Sequence, residues 1–496
     1  MGLRWWALAL ILLIPRALVF PWNENMAGDA IARTWLAHFW LGAPHLIGSF
    51  DQGGLQFGPL HVYLLALFEV FIPSLELSGR VLSFVLGALT AIPLFAFTRR
   101  LFGTTAASWA VACFSLWGLH VQASTTAASE ALNLLLMICL LALLQAWREE
   151  GRRELLLGAA LLLNLACATR YDSWLLLPIL TGVVWLHGRR WQTATWFGLA
   201  SGVFAAAWMV GNALDRGNPL YPFAYIDAFH RDWFPREVAV WGEAKYRLMC
   251  LVFWPGAAAL TLTPLVALAG MAGVFRAWRA RRDLRWLVFL VAFPTALYTV
   301  RAVFLSSFAP LVRFTMKEVL LLLPFVWFGA QPVLTRLSAG VRRGLITFAV
   351  ACAVVWPTWL GWFCFRTEGP WPDTLRAISP SSTNERRLMK VADWLKANGA
   401  TTTDGVLLDE DPIGYSDMQV GFFSGFPYER QVRRRSILFE QRVAANRLRF
   451  VVRFEGGRLE REGRLLVDGA RVTFDGQVFD EVPGFAPPLH VYRRVD

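Results

Sequence analysis

Hydrophobic residues fall along the first three-quarters of the chain in long runs separated by short polar breaks. The runs lie near 3–21, 81–98, 104–121, 131–147, 154–168, 174–187, 193–213, 248–275, 286–304, 319–335 and 344–363. Each approaches the roughly 20 apolar residues that a helix needs to cross a bilayer core. The pattern predicts a polytopic α-helical membrane protein with about eleven transmembrane helices. The first run is interrupted by Pro15 and Arg16 and is followed by no small-residue cleavage site, so it reads as a retained span and not as a signal peptide.

The connector from Pro21 to about Arg80 carries a different period. Ile31, Trp35 and Phe39, with Ala32, Leu36 and Trp40 beside them, form the apolar stripe of an interfacial helix. A second such helix is expected in "GPLHVYLLALFEVFI", whose apolar run is short for a span and is broken by Glu69.

After "FCFRTEGPWPD" the pattern becomes that of a soluble domain. "SSTNERRLMKVADWLKANG" predicts a helix: Ser382 and Glu385 have capping-box spacing, Leu388, Val391, Ala392 and Leu395 make the buried stripe, and Gly399 ends it. Strand-like runs follow in "GVLLDED", "RLRFVVRF", a hairpin "RLLVDGARVTF" turning at Asp468-Gly469, and "LHVYRRV". The chain thus divides into a membrane domain, 1–365, and a small α/β domain, 366–496.

Composition agrees, with 56% hydrophobic residues, 24 Trp, 37 Phe and a mean hydropathy of +0.44. The net charge of +12 would suggest nucleic acid in a soluble protein. From Cys364 onward, however, 20 basic residues face 19 acidic ones, which leaves +11 for the membrane portion. That charge sits in Arg99-Arg100, Arg148/Arg152/Arg153, Arg189-Arg190, Arg276 to Arg285 and Arg336/Arg342/Arg343, all on one side of the eleven-span count. By the positive-inside rule this side is cytoplasmic, the C-terminal domain is external, and no nucleic-acid partner is implied. The six cysteines, Cys113, Cys139, Cys167, Cys250, Cys352 and Cys364, have no CxxC spacing and imply neither a disulfide framework nor a metal cluster.

Isolated acids and cations collect on the external side. Asp29 heads the interfacial helix, either as its N-cap with Arg33 four residues on or as a general base or metal ligand held at the membrane surface. Glu130 opens a span, where it either complements the helix dipole or shares acid/base or metal duties with Asp29. "RYDSW" places Arg170 and Asp172 between two spans, as an ion pair with interfacial Tyr171 and Trp174 or as part of a site. Arg313 and Lys317, one helical turn apart with Arg301 at the end of the preceding span, suit an anionic headgroup such as a phosphate, or lipid headgroups in general.

In order along the membrane portion, "GDAIARTWLAHFWLG", "QFGPLHVYLLALF", "RRLFG", "LHVQASTTAASEALN", "GNPLYPF" and "PLVRFTMKEVLLLLP" resemble the polyprenyl-phosphate-sugar-dependent glycosyltransferases of the GT-C class, relatives of protein O-mannosyltransferases and of the aminoarabinose transferase. Ala30 stands where the family has Glu, Phe57 where it often has Lys, His61 where a Tyr is common, and Thr125 where an Arg is often found. The resemblance implies an inverting hexosyl- or pentosyltransferase of a bacterial inner membrane, acting at the outer face. It would take a polyprenyl-phosphate-linked sugar donor and a lipid, glycan or protein acceptor. Asp29 would be the catalytic base, Glu130 a second acid, and Arg313 with Lys317 the phosphate contacts, with Arg170, Asp172 and His61 as further substrate-binding residues. The resemblance names no certain cofactor, and a divalent cation is the one candidate. A transporter or flippase of a lipid-linked saccharide is the alternative, but transporters concentrate ionisable groups near the midplane. Here they fall at span ends.

Overall fold

The computed structural model describes residues 5–21, 28–50, 52, 58–366, 383–399, 403–410, 416–434, 436 and 438–495. The chain forms two compact units, one of residues 1–24 and 33–380 and one of residues 25–32 and 381–496. The expected cap Ser382 lies outside the described residues.

The first unit is helical: α1 Trp5–Val19, α2 Gly28–Gly42 (its first turn shared with the second unit), α3 Leu60–Phe71, α4 Leu75–Leu89, α5 Ala91–Ser115, α6 Gly118–Ala123, α7 Ser129–Glu150, α8 Arg153–Thr169, α9 Leu176–Gly188, α10 Trp191–Ser201, α11 Val203–Arg216, α12 Tyr221–Trp241, α13 Glu243–Leu262, α14 Pro264–Ala280, α15 Arg285–Val303, α16 Met316–Leu322, α17 Phe325–Leu334 and α18 Ala339–Arg366. Among the described residues four helices are long and apolar enough to span a membrane, or six if two bent pairs, α10 with α11 and the Val312–Leu322 segment with α17, each count as one. The protein is a multi-pass membrane protein, but the eleven predicted spans are not eleven long helices. Several apolar runs fold as helices of 11 to 17 residues, and others bend where proline or glycine interrupts them. The "RRLFG" turn is legible in the structure as a break in α5 at Gly103, where φ is 84° and ψ 175°.

Helix α7 runs through the middle of the bundle with Leu134, Met137, Ile138, Leu141 and Leu144 buried. Helices α14 and α17 touch backbone to backbone: a Cβ on Gly329 would lie 1.9 Å from the Ala269 carbonyl. Such small-residue contacts are how apolar helices gain packing where lipid offers no hydrophobic drive.

The predicted sidedness is visible as contacts. Arg100 pairs with Glu149 and Glu150 at 2.6 and 2.9 Å, Arg148 donates to the Asp283 carbonyl at 3.1 Å, and Trp147 packs edge-on against His187. Four of the basic connectors therefore meet at one end of the bundle. Helix α2 differs in detail from the expected stripe. Ile31 and Trp35 are buried, but Phe39 is exposed and the buried face includes Arg33 and Thr34.

The second unit carries a seven-stranded mixed sheet in the order β2-β1-β3-β7-β6-β5-β4, with β1 Gly405–Leu408, β2 Gln431–Arg433, β3 Leu448–Phe454, β4 Leu465–Asp468, β5 Arg471–Phe474, β6 Gln477–Glu481 and β7 Leu489–Arg494. β1 lies parallel to both β2 and β3, and the remaining pairs are antiparallel. The predicted helix is present over Thr383–Gly399 with Leu388, Val391, Ala392 and Leu395 buried. The hairpin turns at Gly469-Ala470, between paired Asp468 and Arg471. A second tight turn at Asp475-Gly476, both at positive φ, adds β6, and β2 completes the parallel part.

Candidate functional site

Three distant segments meet at helix ends opposite the basic connectors. Helix α7 begins at Ser129 and brings Glu130 in its first turn. Helix α8 stops when Arg170 turns extended (φ −151°, ψ 136°), and a 3-10 turn Tyr171–Leu175 carries Asp172 and Ser173. Trp174 donates from Nε1 to the Cys167 carbonyl at 3.1 Å and the Tyr171 hydroxyl accepts from Trp208 Nε1 at 2.8 Å, which pins that turn. The third segment is a 3-10 turn, Val312–Thr315, leading into α16.

The loop before α7 is held by Arg80, whose Nε donates to the Thr125 carbonyl at 3.1 Å. Helix α3 is seated by Gly58 at φ +80°, where a Cβ would stand 2.3 Å from the Ala168 carbonyl. Only glycine permits both that φ and that approach. The "GPLH" element is therefore docked on the end of α8, next to Arg170.

Four charged side chains then alternate in sign. Arg170 Nη1 donates to Glu130 Oε1 at 2.7 Å and to Ser129 Oγ at 3.2 Å, and its Nε donates to Asp172 Oδ1 at 3.2 Å. Lys317 Nζ lies 3.0 Å from Asp172 Oδ2 and donates to Ser173 Oγ at 3.1 Å, while Ser173 Oγ donates to Asn133 Oδ1 at 2.9 Å. Burial alone would raise the Asp172 carboxyl, but the charges of Lys317 and Arg170 outweigh it and hold the group down at about 2. Glu130, Asn133, Arg170, Asp172, Arg313 and Lys317 line one small cavity of about 10 Å³, close to the space of a single water. Its three cations and two carboxylates leave a surplus of one positive charge.

The structure gathers Glu130, Arg170, Asp172, Arg313 and Lys317 around one cavity and differs from the sequence reading in detail. Arg313 and Lys317 are not two equivalent cations on one α-helix: the chain is 3-10 through Thr315, and Lys317 is engaged by Asp172. Arg301 does not join them; it pairs with Asp227 at 2.9 Å. His61 is fully buried, its ring nitrogens have no hydrogen-bond partner among the described residues, and it lies within range of the charges of Arg33, Glu130 and Arg170. Asp29 stands half-buried in the first turn of α2, among the residues of the second unit.

Sequence reasoning missed Arg33, Asn133, Ser173 and Glu318. Arg33 was read only as a partner for Asp29, yet it is 2% exposed and its charge acts on both Glu130 and His61. Asn133 lies one turn along α7 from Glu130, a spacing that could have marked it. Glu318, beside Lys317, is buried with Oε2 unpartnered among the described residues. Among those residues no three His, Cys, Asp or Glu side chains converge as a divalent cation requires. Glu130 and Asp172 are already matched by Arg170 and Lys317, so the nest does not fit a metal.

Residues 56–212 match the family described as dolichyl-phosphate-mannose-protein mannosyltransferase. That stretch carries His61, Glu130, Arg170 and Asp172. The fold is similar to that of ArnT from Cupriavidus metallidurans bound to undecaprenyl phosphate, with a TM-score of 0.63 at 11% identity over 98% of this chain and 97% of that one. The apo state of the same protein gives 0.62 at 12% over the same shares. An oligosaccharyltransferase of Archaeoglobus fulgidus, in complex with Zn and sulfate, is similar at 0.54 and 13%, over 90% of this chain and 68% of that one. No curated protein matches the chain. The resemblance read from the sequence is thus met by a family match over residues 56–212 and by a fold similar to that of ArnT.

Proposed function

We propose that the protein transfers a sugar from a polyprenyl-phosphate carrier to an acceptor at the outer face of a bacterial inner membrane. The observation that carries this reading is the buried nest with a surplus positive charge. Two guanidinium groups and an ammonium lining one small cavity suit an anion such as a phosphate, with Arg offering a planar fork and Lys a point charge. In the conformation described the nest is closed by its own ion pairs, so an entering phosphate competes with Glu130 and Asp172 for Arg170, Arg313 and Lys317. Placement of the nest at helix ends, and not midway along spans, favours an enzyme over a carrier.

In the reaction a hydroxyl oxygen of the acceptor forms a bond to the anomeric carbon. The bond from that carbon to the phosphate oxygen breaks, and its electron pair leaves with the lipid phosphate. Displacement from the opposite face inverts the anomeric centre. The hydroxyl proton passes to a carboxylate, for which the family resemblance nominates Asp29, and a positioned base contributes about 10²–10⁴-fold. Arg313 and Lys317 neutralise the departing phosphate, as preorganised cations do for developing charge. Glu130 fixes Arg170, and His61 supplies a buried hydrogen-bonding ring beside that pair.

The test is transfer by the purified protein in liposomes from undecaprenyl-phosphate-linked hexoses and pentoses, followed as release of undecaprenyl phosphate. Release that disappears in Asp29→Asn and falls at least tenfold in Arg313→Ala supports the reading. Equal rates in both variants and wild type overturn it.

A further inference from the structure

Beside the nest lies an open cleft of about 520 Å³. Ligand sites commonly fall between roughly 300 and 1,000 Å³. Its walls are of two kinds. Leu220, Phe223 and Ile226 of the α12 region form an apolar side, and Asn218, Asp227 and Arg301 form a polar one. The polar groups are arranged and partly occupied. Asp227 Oδ1 accepts from Arg301 Nη2 at 2.9 Å and its Oδ2 accepts from Arg231 Nε at 2.7 Å. Arg301 Nη2 also donates to the Ser307 carbonyl at 2.7 Å, while Asn218 Oδ1 accepts from the Leu220 amide at 3.0 Å, leaving its Nδ2 as a donor.

Two rows of aromatic rings join this cavity to the nest. Phe223 packs on Tyr171 and Trp174, with centroids at 5.7 and 5.3 Å, and those rings flank Asp172. On the other side Arg301 lies over Phe308, Phe308 packs on Phe314, and Arg313 lies over Phe314. His230, one turn along α12 from Asp227, accepts the Ala309 amide on Nδ1 at 3.0 Å and braces the loop between the two arginines. The walls of the cavity are thus the outer faces of the walls of the nest.

We infer that this cavity is a subsite for a sugar ring. A pyranose or furanose has apolar C–H faces and a rim of hydroxyls that both donate and accept. The cavity offers an aromatic and aliphatic wall on one side and a carboxylate, a guanidinium and a carboxamide on the other. A phosphate fits poorly, because Arg301 already faces the carboxylate of Asp227. An acyl chain also fits poorly, because it would cover Asn218 and the Asp227–Arg301 pair without replacing their contacts with water. Given the function proposed above, the ring belongs either to the donor, projecting from the phosphate, or to a glycan acceptor. The binding chemistry is the same for both.

Full-length protein in phosphatidylglycerol nanodiscs is probed with free glucose, mannose, galactose, arabinose and N-acetylglucosamine by saturation-transfer NMR. At least one is expected to show transfer that Asn218→Asp and Arg301→Gln each reduce at least fivefold. Asn218 is exposed and the aspartate keeps the acceptor for the Leu220 amide, so that variant retains the local turn. Competition separates the two sources: displacement by an undecaprenyl-phosphate-linked sugar assigns the ring to the donor, and simultaneous binding assigns it to the acceptor. Signals unchanged in both variants overturn the inference, as does absence of saccharide signals together with transfer to a lysophospholipid probe. Sugar transfer with unaffected saccharide binding sinks this inference alone. Saccharide binding lost in the variants of a protein that releases no undecaprenyl phosphate sinks the proposed reaction alone.

Discussion

Arg170 and Glu130 form a salt bridge of 2.7 Å in which both side chains are about nine-tenths buried. Removing one partner of such a pair strands a charge, at a cost of about 3–5 kcal/mol. Arg170→Ala is expected to lower the melting temperature in detergent markedly. The double variant Glu130→Gln/Arg170→Met should recover most of that loss, because removing one charge of each sign leaves the net charge of the nest unchanged. A double variant no more stable than Arg170→Ala would show that Arg170 acts through Asp172 and not through Glu130.

Asp172 is matched by both Arg170 and Lys317, and is held ionised. Asp172→Asn raises the cationic surplus of the nest from one to two. Undecaprenyl phosphate, as product, should then bind more tightly and inhibit at lower concentration, while turnover falls through slow release. The carboxyl is depressed, so its stabilising contribution is complete above its unfolded value and is lost only as pH falls toward about 2. The product-binding difference between wild type and Asp172→Asn should therefore stay constant from pH 5 to pH 8. An inhibition constant equal in the two proteins would remove Asp172 from the phosphate contest.

Gly58 tests how α3 is held. Gly58→Ala places a methyl 2.3 Å from the Ala168 carbonyl at a φ that costs an L-residue about 1–2 kcal/mol. Displacement of Pro59 and His61 should reduce sugar transfer at least tenfold with only a modest fall in melting temperature. A matching loss of both would mean that the glycine serves folding and not the site.

Two groups outside the membrane titrate with opposite consequences. Burial and the Arg301 charge hold His230 at about 4 against the opposing pull of Asp227, so the native state resists protonating it. Stability of its surroundings should decline as pH falls through the unfolded value near 6.5 toward 4. Asp409 is raised to about 6 by burial, although it accepts from the Leu459 and Glu410 amides. Its contribution is complete below the unfolded value near 3.8 and is lost as pH rises through about 6. Hydrogen exchange on the full chain between pH 5 and pH 7, corrected for intrinsic rates, should show α12 gaining protection with pH and β1 losing it. The same sign at both places would contradict the pair of assignments.

The parts of this fold that were legible in the sequence are those where one local signal decides the outcome. The apolar stripe of the 383–399 helix, the Asp-Gly hairpin and the break at Gly103 depend on residues within a turn of one another. Five of the seven proposed site residues proved to share one cavity because charged residues at the ends of apolar runs have few places to go. What escaped was set by distant packing. Arg33 sits where a face of α2 is buried, and nothing near it in sequence announces that burial. Lys317 looked like a companion of Arg313 because i, i+4 spacing assumes an α-helix; the 3-10 turn before it and the reach of Asp172 were invisible locally. β6 was missed although Asp475-Gly476 repeats the signal of the preceding hairpin, because its strand, "QVFDE", has little apolar content.

The alternating chain of Glu130, Arg170, Asp172 and Lys317 also bears on how the protein is made. Glu130 and Arg170 are 40 residues apart, at the paired ends of the neighbouring helices α7 and α8, and carry no net charge between them. Lys317 leaves the ribosome 144 residues after Ser173, a delay on the order of 10 s at roughly 5–20 residues per second. Through that interval Arg170 serves both acids. The arrival of Lys317 relieves it of half that duty, so α16 latches the earlier helices, and a chain stalled before α16 would leave one guanidinium shared between two carboxylates.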